Sequence, residues 1–274
     1  MPAILQRLLC LLALSLLLTT STHGVEELRI SGASTMQPIL KRIAPDFSAE
    51  TRISLSISGG GSARGLAAVL SGDADIGMVS RSLEAEEVKQ LQVTTIGHDA
   101  LALVVHESNP LGNLRRDQVR DIFRGAISDW QTLNAGQTGA IVRVGKLPGR
   151  STRQLFDHFF GLTAADYPAE MPIVGADSAG ILYISIDPQA IAYISAGSIQ
   201  RAMELGAPVK LLSIDGHPPR AEQILSGAYP YGRPLNLVSK RDASKHVRSL
   251  LEWLSSSKGQ QAVQAEGFLR ARAP

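Results

Sequence analysis

The sequence predicts an α/β protein with mostly parallel strands, and three observations lead to that prediction. Short apolar or alternating runs typical of strands are followed by amphipathic runs typical of helices, the order that builds parallel sheets. A small polar or glycine-bearing turn joins strand to helix at three places, 30–38, 58–62 and 148–152. The only cysteine is Cys10, so a hydrophobic core rather than disulfides must stabilise the fold.

Residues 1–24 are predicted to be a secretory signal peptide. Arg7 is the only charged residue before Glu26, and an apolar segment covers Leu8–Leu18. That segment is shorter than a membrane-spanning helix requires. Small residues follow it, as expected near the cleavage point of a signal peptide. The alternative is that residues 1–24 remain attached as an uncleaved membrane anchor. We therefore expect an exported protein, periplasmic or secreted, that starts near Val25.

Size and charge narrow the class of protein further. About 250 residues remain after the signal, enough for one large domain or two modest ones. The chain has 27 Lys and Arg against 25 Asp and Glu, and Arg7 leaves with the signal. The remaining excess of about one positive charge gives no general attraction to nucleic acid or to membrane surfaces. We expect a soluble protein with no nucleic-acid partner.

The first predicted unit is a strand at Leu28–Ile30 followed by a helix from Met36, with Ser34 or Thr35 as its N-cap. Apolar residues recur along this helix at the spacing of one buried face. A second strand at Ile53–Ile57 alternates apolar residues with serines, which indicates one buried face.

The second turn, Gly59–Gly61, leads to a helix that Ser62 is predicted to cap. A buried strand at Asp75–Val79 follows and delivers Ser80 and Arg81 at its carboxyl end, where ligands of open α/β sheets usually bind. The later predicted strands are 100–106, Ile141–Val144, Ile191–Ile194, Val209–Leu212 and Leu235–Val238, and the later predicted helices are Asp117–Arg124, one from Thr152, and Val247–Val263.

Each strand–turn–helix junction presents free backbone N–H groups and the positive end of a helix dipole, a combination that suits an anion. One such turn is more often plain capping, but three in one chain, two of them with an arginine nearby, favour an oxyanion site. The candidate hydroxyl and backbone donors are Ser34, Thr35, Ser62, Ser80, Ser151 and Thr152, and the candidate cations are Arg81 and Arg150.

Known catalytic and nucleotide motifs do not fit this sequence. Arg64 stands where G-x-G-x-x-G needs its last glycine, and Gly139–Lys146 has one residue too many for a P-loop. Gly60–Arg64 misses the G-x-S-x-G nucleophile elbow at its last position. The histidines are scattered without metal-ligand spacing. We expect no catalytic residue, no metal and no cofactor.

Several motifs together resemble the PstS-type phosphate-binding proteins of bacterial ABC importers. In chain order they are Ser31–Pro38, Gly59–Ser62, Ala74–Arg81, Asp121–Trp130, Ala192–Ser195, Tyr229–Pro234 and Gly259–Phe268. The resemblance covers essentially the whole mature chain. It implies the type II periplasmic binding protein fold, in which two α/β lobes with mixed, mostly parallel sheets and flanking helices are joined by two hinge crossings.

The resemblance also implies the division of the chain and the site. Lobe 1 would comprise 25–102 and 197–274, and lobe 2 would comprise 103–196, with phosphate in the cleft between them. Residue by residue, the resemblance assigns the site to Thr35, Met36 through its N–H, Ser62, Ser80, Arg81 and Thr152, while Ser34, Arg150 and Ser151 join them from the turn argument. We expect Arg81→Ala to weaken anion binding about tenfold or more.

The implied function is a non-enzymatic, monomeric solute-binding protein that delivers inorganic phosphate to the membrane subunits of an ABC permease. Three alternatives stay open: binding of another tetrahedral oxyanion, a sensory or interaction role on the same fold, and an exported phosphatase. The third loop reads Gly149-Arg150-Ser151-Thr152 where the family usually has G-S-G-T. The choice of anion therefore depends on what Arg150 does.

Overall fold

The computed structural model describes residues 26–133 and 136–271, so the predicted signal peptide at 1–24 lies outside the described residues. The strands are β1 (Glu26–Gly32), β2 (Ile53–Gly59), β3 (Ile76–Val79), β4 (Leu91–His106), β5 (Asn113–Leu114), β6 (Val142–Lys146), β7 (Ile173–Val174), β8 (Ala190–Ser195), β9 (Val209–Ile214), β10 (Gly232–Lys240) and β11 (Leu269–Arg270). The helices are α1 (Gln37–Thr51), α2 (Ser62–Ser71), α3 (Ala85–Gln90), α4 (Arg116–Phe123), α5 (Ser151–Phe160), α6 (Asp177–Ile186), α7 (Ala196–Glu204), α8 (Ala221–Ser226), α9 (Lys245–Ser255) and α10 (Ser257–Ala265).

The first lobe is built on the strand order β2–β1–β3–β10–β4, with β11 also paired to β4. β1 is parallel to β2 and β3, whereas β10 is antiparallel to β3 and β4. The register sets Gly32 beside both Gly59 and Met78. Because the carboxyl ends of parallel strands meet at one edge, the turns that follow β1, β2 and β3 are neighbours there.

Strand β4 takes part in both lobes. Up to Ala100 it pairs with β10, and from Leu101 it pairs with β8 and β9. In the second lobe β6 is parallel to both β8 and β7, and β5 is parallel to β9. The chain therefore crosses between the lobes at Ala100–Leu101, as the two-lobed fold predicts.

Two main hydrophobic cores lie on the two sides of this crossing. The first packs α1, α9 and α10 on the sheet around Ile30 and Phe47. The second gathers around Trp130 and Tyr193, with an aromatic stack between Phe156 and Tyr193. Tyr193 is completely buried, and burial raises the pKa of its phenol to about 12. Each lobe thus has a core of its own, as expected of a chain this long without disulfides.

The predicted strands are all present, although 100–106 is only the end of the longer β4. The single closing helix predicted at Val247–Val263 is wrong, since α9 and α10 are separate helices. The break is at Ser256, whose Oγ accepts a hydrogen bond from the N–H of Gly259 and so caps α10. Residues 255–261 contain no apolar residue, so the apolar pattern does not show whether one helix or two pass through this segment. Within 26–133 and 136–271, no helix is long and apolar enough to cross a membrane.

Candidate anion-binding site

The strand–turn–helix junctions of the two lobes face each other across a small cavity of about 10 Å³. The first lobe contributes Ser34, Thr35 and Gly61, and the second contributes Lys146, Arg150, Ser151, Thr152, Gly175 and Asp177. A cavity of that size has room for about one water molecule. The described conformation is therefore closed around the site.

We call the residues that the first and the second lobe contribute to the cavity its first wall and its second wall, respectively. Ser34 and Thr35 belong to the first wall. The prediction that one of them caps α1 is wrong, because they lie in a 3₁₀ turn, Ser34–Met36, and neither side chain caps a helix. Both hydroxyls instead reach the opposite lobe: Ser34 Oγ accepts from Arg150, and Thr35 Oγ1 donates to Asp177 at 3.4 Å. Met36 is fully buried, and its N–H donates to the carbonyl of Ala33. The predicted use of that N–H for an anion requires this bond to open.

Gly61 explains why the second turn is rich in glycine. Its φ is +101°, and a Cβ at this position would overlap the carbonyl oxygen of Gly149 in the opposite lobe. Only glycine lets the two turns approach so closely. Ser62 follows as the first residue of α2, so the prediction that it caps this helix is wrong. Its Oγ accepts the N–H of Ser80 at 3.1 Å, and both serines are completely buried.

Ser80 lies behind the cavity and connects the two lobes. Its Oγ is 2.6 Å from Ser151 Oγ, a hydrogen bond between the end of β3 and the start of α5. Ser62 and Ser80 do not line the cavity themselves in this conformation. They hold Ser151, which does, so the four hydroxyls nearest the cleft are Ser34, Thr35, Ser151 and Thr152.

Arg81 is turned away from the cavity. Its Nη1 and Nη2 donate to the two carboxylate oxygens of Glu87 at 2.9 and 2.8 Å. This bidentate bond raises the pKa of the Arg81 guanidinium and lowers the pKa of the Glu87 carboxyl. The structure therefore does not bring Arg81 together with the other predicted residues, although it lies one residue after Ser80.

The second wall contains an ion pair that the sequence reasoning missed. Lys146 Nζ donates to Asp177 Oδ1 at 2.6 Å, and the two side chains are only 2% and 12% exposed. Asp177 Oδ2 also accepts from Ser198 Oγ at 3.1 Å. Burial opposes ionisation of Asp177, but the Lys146 ammonium and these hydrogen bonds outweigh it, so the pKa of the carboxyl is lowered. The cavity thus has one neutralised cation in its second wall.

Arg150 supplies the remaining charge. Its Nη1 donates to Ser34 Oγ at 2.6 Å, which places the guanidinium across the cleft. No ion pair with Arg150 occurs in the part of the chain that the structure describes. With Lys146 balanced by Asp177, the cavity carries a net charge of about +1, which favours an anion.

Thr152 connects the cavity to a buried ion pair behind it. Its Oγ1 accepts from Arg233 Nη1 at 3.1 Å, and Arg233 Nη2 donates to Asp99 Oδ2 at 2.7 Å. The side chains of Arg233 and Asp99 are 1% and 0% exposed. A buried guanidinium that is fully paired keeps its position, so it fixes the orientation of the Thr152 hydroxyl.

The missed residues carried weak signals. Gly175 and Asp177 repeat the strand–turn–helix pattern a fourth time, but the strand before them, β7, has only two residues. In the sequence, Lys146 stands out only in a spacing that a P-loop does not fit, because a lysine at the end of a strand is not itself a recognisable motif. Among the described residues, no group of three His, Cys, Asp or Glu could hold a metal.

Comparison with known proteins gives relatives over nearly the whole chain. The chain is 28% identical to the phosphate-binding protein PstS of Bacillus subtilis over 243 residues, which cover 86% of this chain and 77% of that protein. It is 24% identical to the phosphate-binding protein PstS of Borreliella burgdorferi over 275 residues, which cover 96% of each chain.

Two solved structures share the fold. One, from Clostridium perfringens, is described as a phosphate ABC transporter substrate-binding protein with bound phosphate; its TM-score is 0.81 at 27% identity, covering 90% of this chain and all of that one. The other is an ABC-type phosphate transport receptor from Vibrio cholerae, with a TM-score of 0.74 at 25% identity, covering 89% of this chain and all of that one. The model of the PBP superfamily domain matches residues 19–258, and the chain therefore belongs to the PBP superfamily.

Proposed function

We propose that this protein captures inorganic phosphate in the cleft between its lobes and delivers it to the membrane subunits of an ABC permease. We further propose that it is exported, acts as a monomer and catalyses no reaction. The proposal rests on the site: a cavity between the lobes in which hydroxyl donors converge with the Arg150 guanidinium, which no carboxylate of the described residues neutralises. The relatives named above, which are phosphate-binding proteins of the same superfamily, support the choice of anion.

Closure of the lobes gives the site its affinity. Among the described residues, hydrogen bonds join the two lobes from Arg150 to Ser34, from Thr35 to Asp177, from Arg233 to Thr152, and between Ser80 and Ser151. An anion that takes over such contacts binds the closed state more tightly than the open one, because only the closed state offers donors from both lobes.

Phosphate must displace a contact in order to bind, since about 10 Å³ cannot hold a tetrahedral oxyanion. The Arg150–Ser34 bond is the one we propose that it replaces. Arg150 and Ser34 can both donate to an anion. A hydrogen bond from the Arg150 guanidinium to phosphate is stronger than its bond to the neutral Ser34 hydroxyl. Ser34, Thr35, Arg150, Ser151 and Thr152 would then contact phosphate directly, with Lys146 adding charge.

The other predicted residues have supporting places in this proposal. Ser62 and Ser80 position Ser151 from behind, and they reach the anion directly only if the Ser80–Ser151 bond opens. Met36 contributes its N–H only if the bond to Ala33 opens. Arg81 contributes only if its guanidinium leaves Glu87.

The division of the chain between the lobes, 25–102 with 197–274 and 103–196, remains a prediction. Ile199, Ile214 and Tyr231 pack into the core of the second lobe. This packing favours a return to the first lobe only after Tyr231, at the start of β10.

Calorimetric titration of the mature protein with phosphate, sulfate and molybdate tests the proposed function. We expect phosphate to bind with micromolar or tighter affinity, because several charge-assisted bonds of about 1.5–3 kcal/mol each converge on it. Binding of sulfate or molybdate without phosphate would contradict the proposal in favour of another oxyanion. Turnover of a phosphomonoester, lost in Ser62→Ala with folding intact, would favour a phosphatase.

A further inference from the structure

A second cavity, of about 470 Å³, lies where β4 passes from the first lobe to the second. His98 and Asp99 of β4 line it, immediately before the crossing at Ala100–Leu101. Its other walls come from both lobes: Leu269 is on β11 beside the first sheet, and Leu211 is on β9 in the second. It shares no lining residue with the small cavity of the candidate anion-binding site, which we call the anion-binding cavity. We call it the crossover cavity.

The crossover cavity has the size and lining of a site for a small organic molecule. Ligand sites of proteins usually measure about 300–1,000 Å³ and combine a mostly apolar lining with a few polar groups. Here Leu211, Pro218, Pro219, Ile224 and Leu269 provide apolar surface. An inorganic anion would leave that surface uncovered.

The charge of the crossover cavity favours an anionic ligand. The carboxylate that lines the cavity belongs to Asp99. It already accepts hydrogen bonds from Arg233 at 2.7 Å and from the N–H of Gly197 at 3.1 Å, so its negative charge is neutralised. Arg220, in contrast, makes no side-chain hydrogen bond or ion pair with any of the described residues, and it lines the same cavity. The available charge is therefore positive.

The crossover cavity is also connected to the anion-binding cavity. Asp99 holds Arg233, and Arg233 Nη1 donates to Thr152 Oγ1 at 3.1 Å. Thr152 lines the anion-binding cavity. Since the walls of the crossover cavity belong to both lobes, a change in the angle between the lobes alters its shape. A ligand that prefers one shape must change the affinity for phosphate, and phosphate must change its affinity by the same factor.

We propose that the crossover cavity is a second binding site, for a small organic anion with an apolar body, and that its occupancy is coupled to the opening and closing of the lobes. The anionic group would pair with Arg220, and the apolar body would cover the surface formed by Leu211, Ile224 and Leu269. The site itself is distinct from the phosphate site and does not depend on the proposed function, whereas the coupling to phosphate rests on it.

Calorimetric titration with anilinonaphthalene sulfonate, an aromatic body with one sulfonate, tests this proposal. Ala221 is exposed and lines the cavity, so Ala221→Trp fills it from the rim. We expect Ala221→Trp to weaken binding of the probe about tenfold or more, and Arg220→Gln to weaken it about fivefold. The matched controls are Ala165→Trp and Arg120→Gln, exposed positions outside the cavity, which should leave the affinity unchanged.

Equal probe affinity in Ala221→Trp, Arg220→Gln and the two controls would overturn the site, as would absence of probe binding to the unmodified protein. Circular dichroism of each variant excludes unfolding as the cause of a loss. Once calorimetry has shown that phosphate binds, saturating phosphate should change the affinity for the probe about threefold or more, and an unchanged affinity would overturn the coupling. A protein that fails to bind phosphate would still show the loss in Ala221→Trp, so the two proposals fail separately.

Discussion

The two walls of the anion-binding cavity differ in what they contribute. The first-lobe wall is neutral: Ser34, Thr35 and Gly61 offer hydroxyls and a backbone turn. The second-lobe wall has all the charge, in Lys146, Asp177 and Arg150. The neutral wall is held by backbone geometry and by buried serines, whereas the charged wall is held by ion pairs. In the proposed function, the first wall would set the position of the anion, and the second wall would set its affinity and charge preference.

Of the substitutions that test this difference between the walls, Lys146→Ala should have the largest effect on phosphate affinity. Lys146→Ala leaves the Asp177 carboxylate unpaired in the cavity, where it repels phosphate. We expect the affinity measured by calorimetry to fall about a hundredfold or more, because the cavity loses a positive charge and the buried Asp177 carboxylate loses its ion-pair partner. Lys245→Ala, at an exposed lysine on α9, is the control. A loss below about threefold would place Lys146 outside the anion's reach.

Arg150→Ala should have the next largest effect. Its guanidinium is the unbalanced charge of the cavity, so we expect phosphate affinity to fall about tenfold, the worth of one charge-assisted bond. Arg120→Ala, on the exposed face of α4, is the matched control. Tighter binding by Arg150→Ala would mean that the arginine competes with phosphate for Ser34. Of the two cations in the second wall, only Lys146 would then attract phosphate.

Asp177→Asn should separate stability from affinity. Without the carboxylate the cavity becomes more positive, and we expect phosphate to bind about threefold more tightly. Lys146 loses its partner, so the free energy of unfolding at pH 7 should fall by about 1–3 kcal/mol. Unfolding in urea measures the second effect, and calorimetry the first. Weaker phosphate binding by Asp177→Asn would show that the carboxylate assists the anion instead of repelling it.

The stability effect of Asp177→Asn should also depend on pH. The pKa of Asp177 is lowered in the folded protein, so the ion pair stabilises the fold above the unfolded-state pKa of about 3.9. That contribution is lost as pH falls through the lower, folded-state pKa. The difference in unfolding free energy between the two proteins should therefore shrink on acidification. A difference that stays constant down to the lowest pH at which both fold would argue against the ion pair.

Arg81→Ala should have the smallest effect. The resemblance predicts a loss of about tenfold, but the bidentate bond to Glu87 leads us to expect less than about threefold. Calorimetric titration beside Arg150→Ala decides between the two. A tenfold loss would mean that Arg81 leaves Glu87 when phosphate binds, and the first wall would then also contribute charge.

Most of the first wall could be predicted from the sequence because its elements are local. Strand β1, the turn and α1 follow one another within a short segment, and period and glycine content indicate all three. What Ser34, Thr35 and Ser62 bond to could not be predicted in this way. Local capping is the commonest role of such residues, but here their hydroxyls pair with Arg150, Asp177 and Ser80 instead.

The second wall depended on tertiary structure. Lys146 and Asp177 are 31 residues apart and lie at the ends of different elements, so no spacing rule connects them. Arg233 is 81 residues from Thr152, and only the return of β10 beside β4 brings it behind the cavity. The α/β class, the order of the strands along the chain and the approximate starts of the helices that face the cleft follow from the sequence alone. The tertiary structure decided which charges meet there, because ion pairs form between residues that folding, and not the chain, makes neighbours.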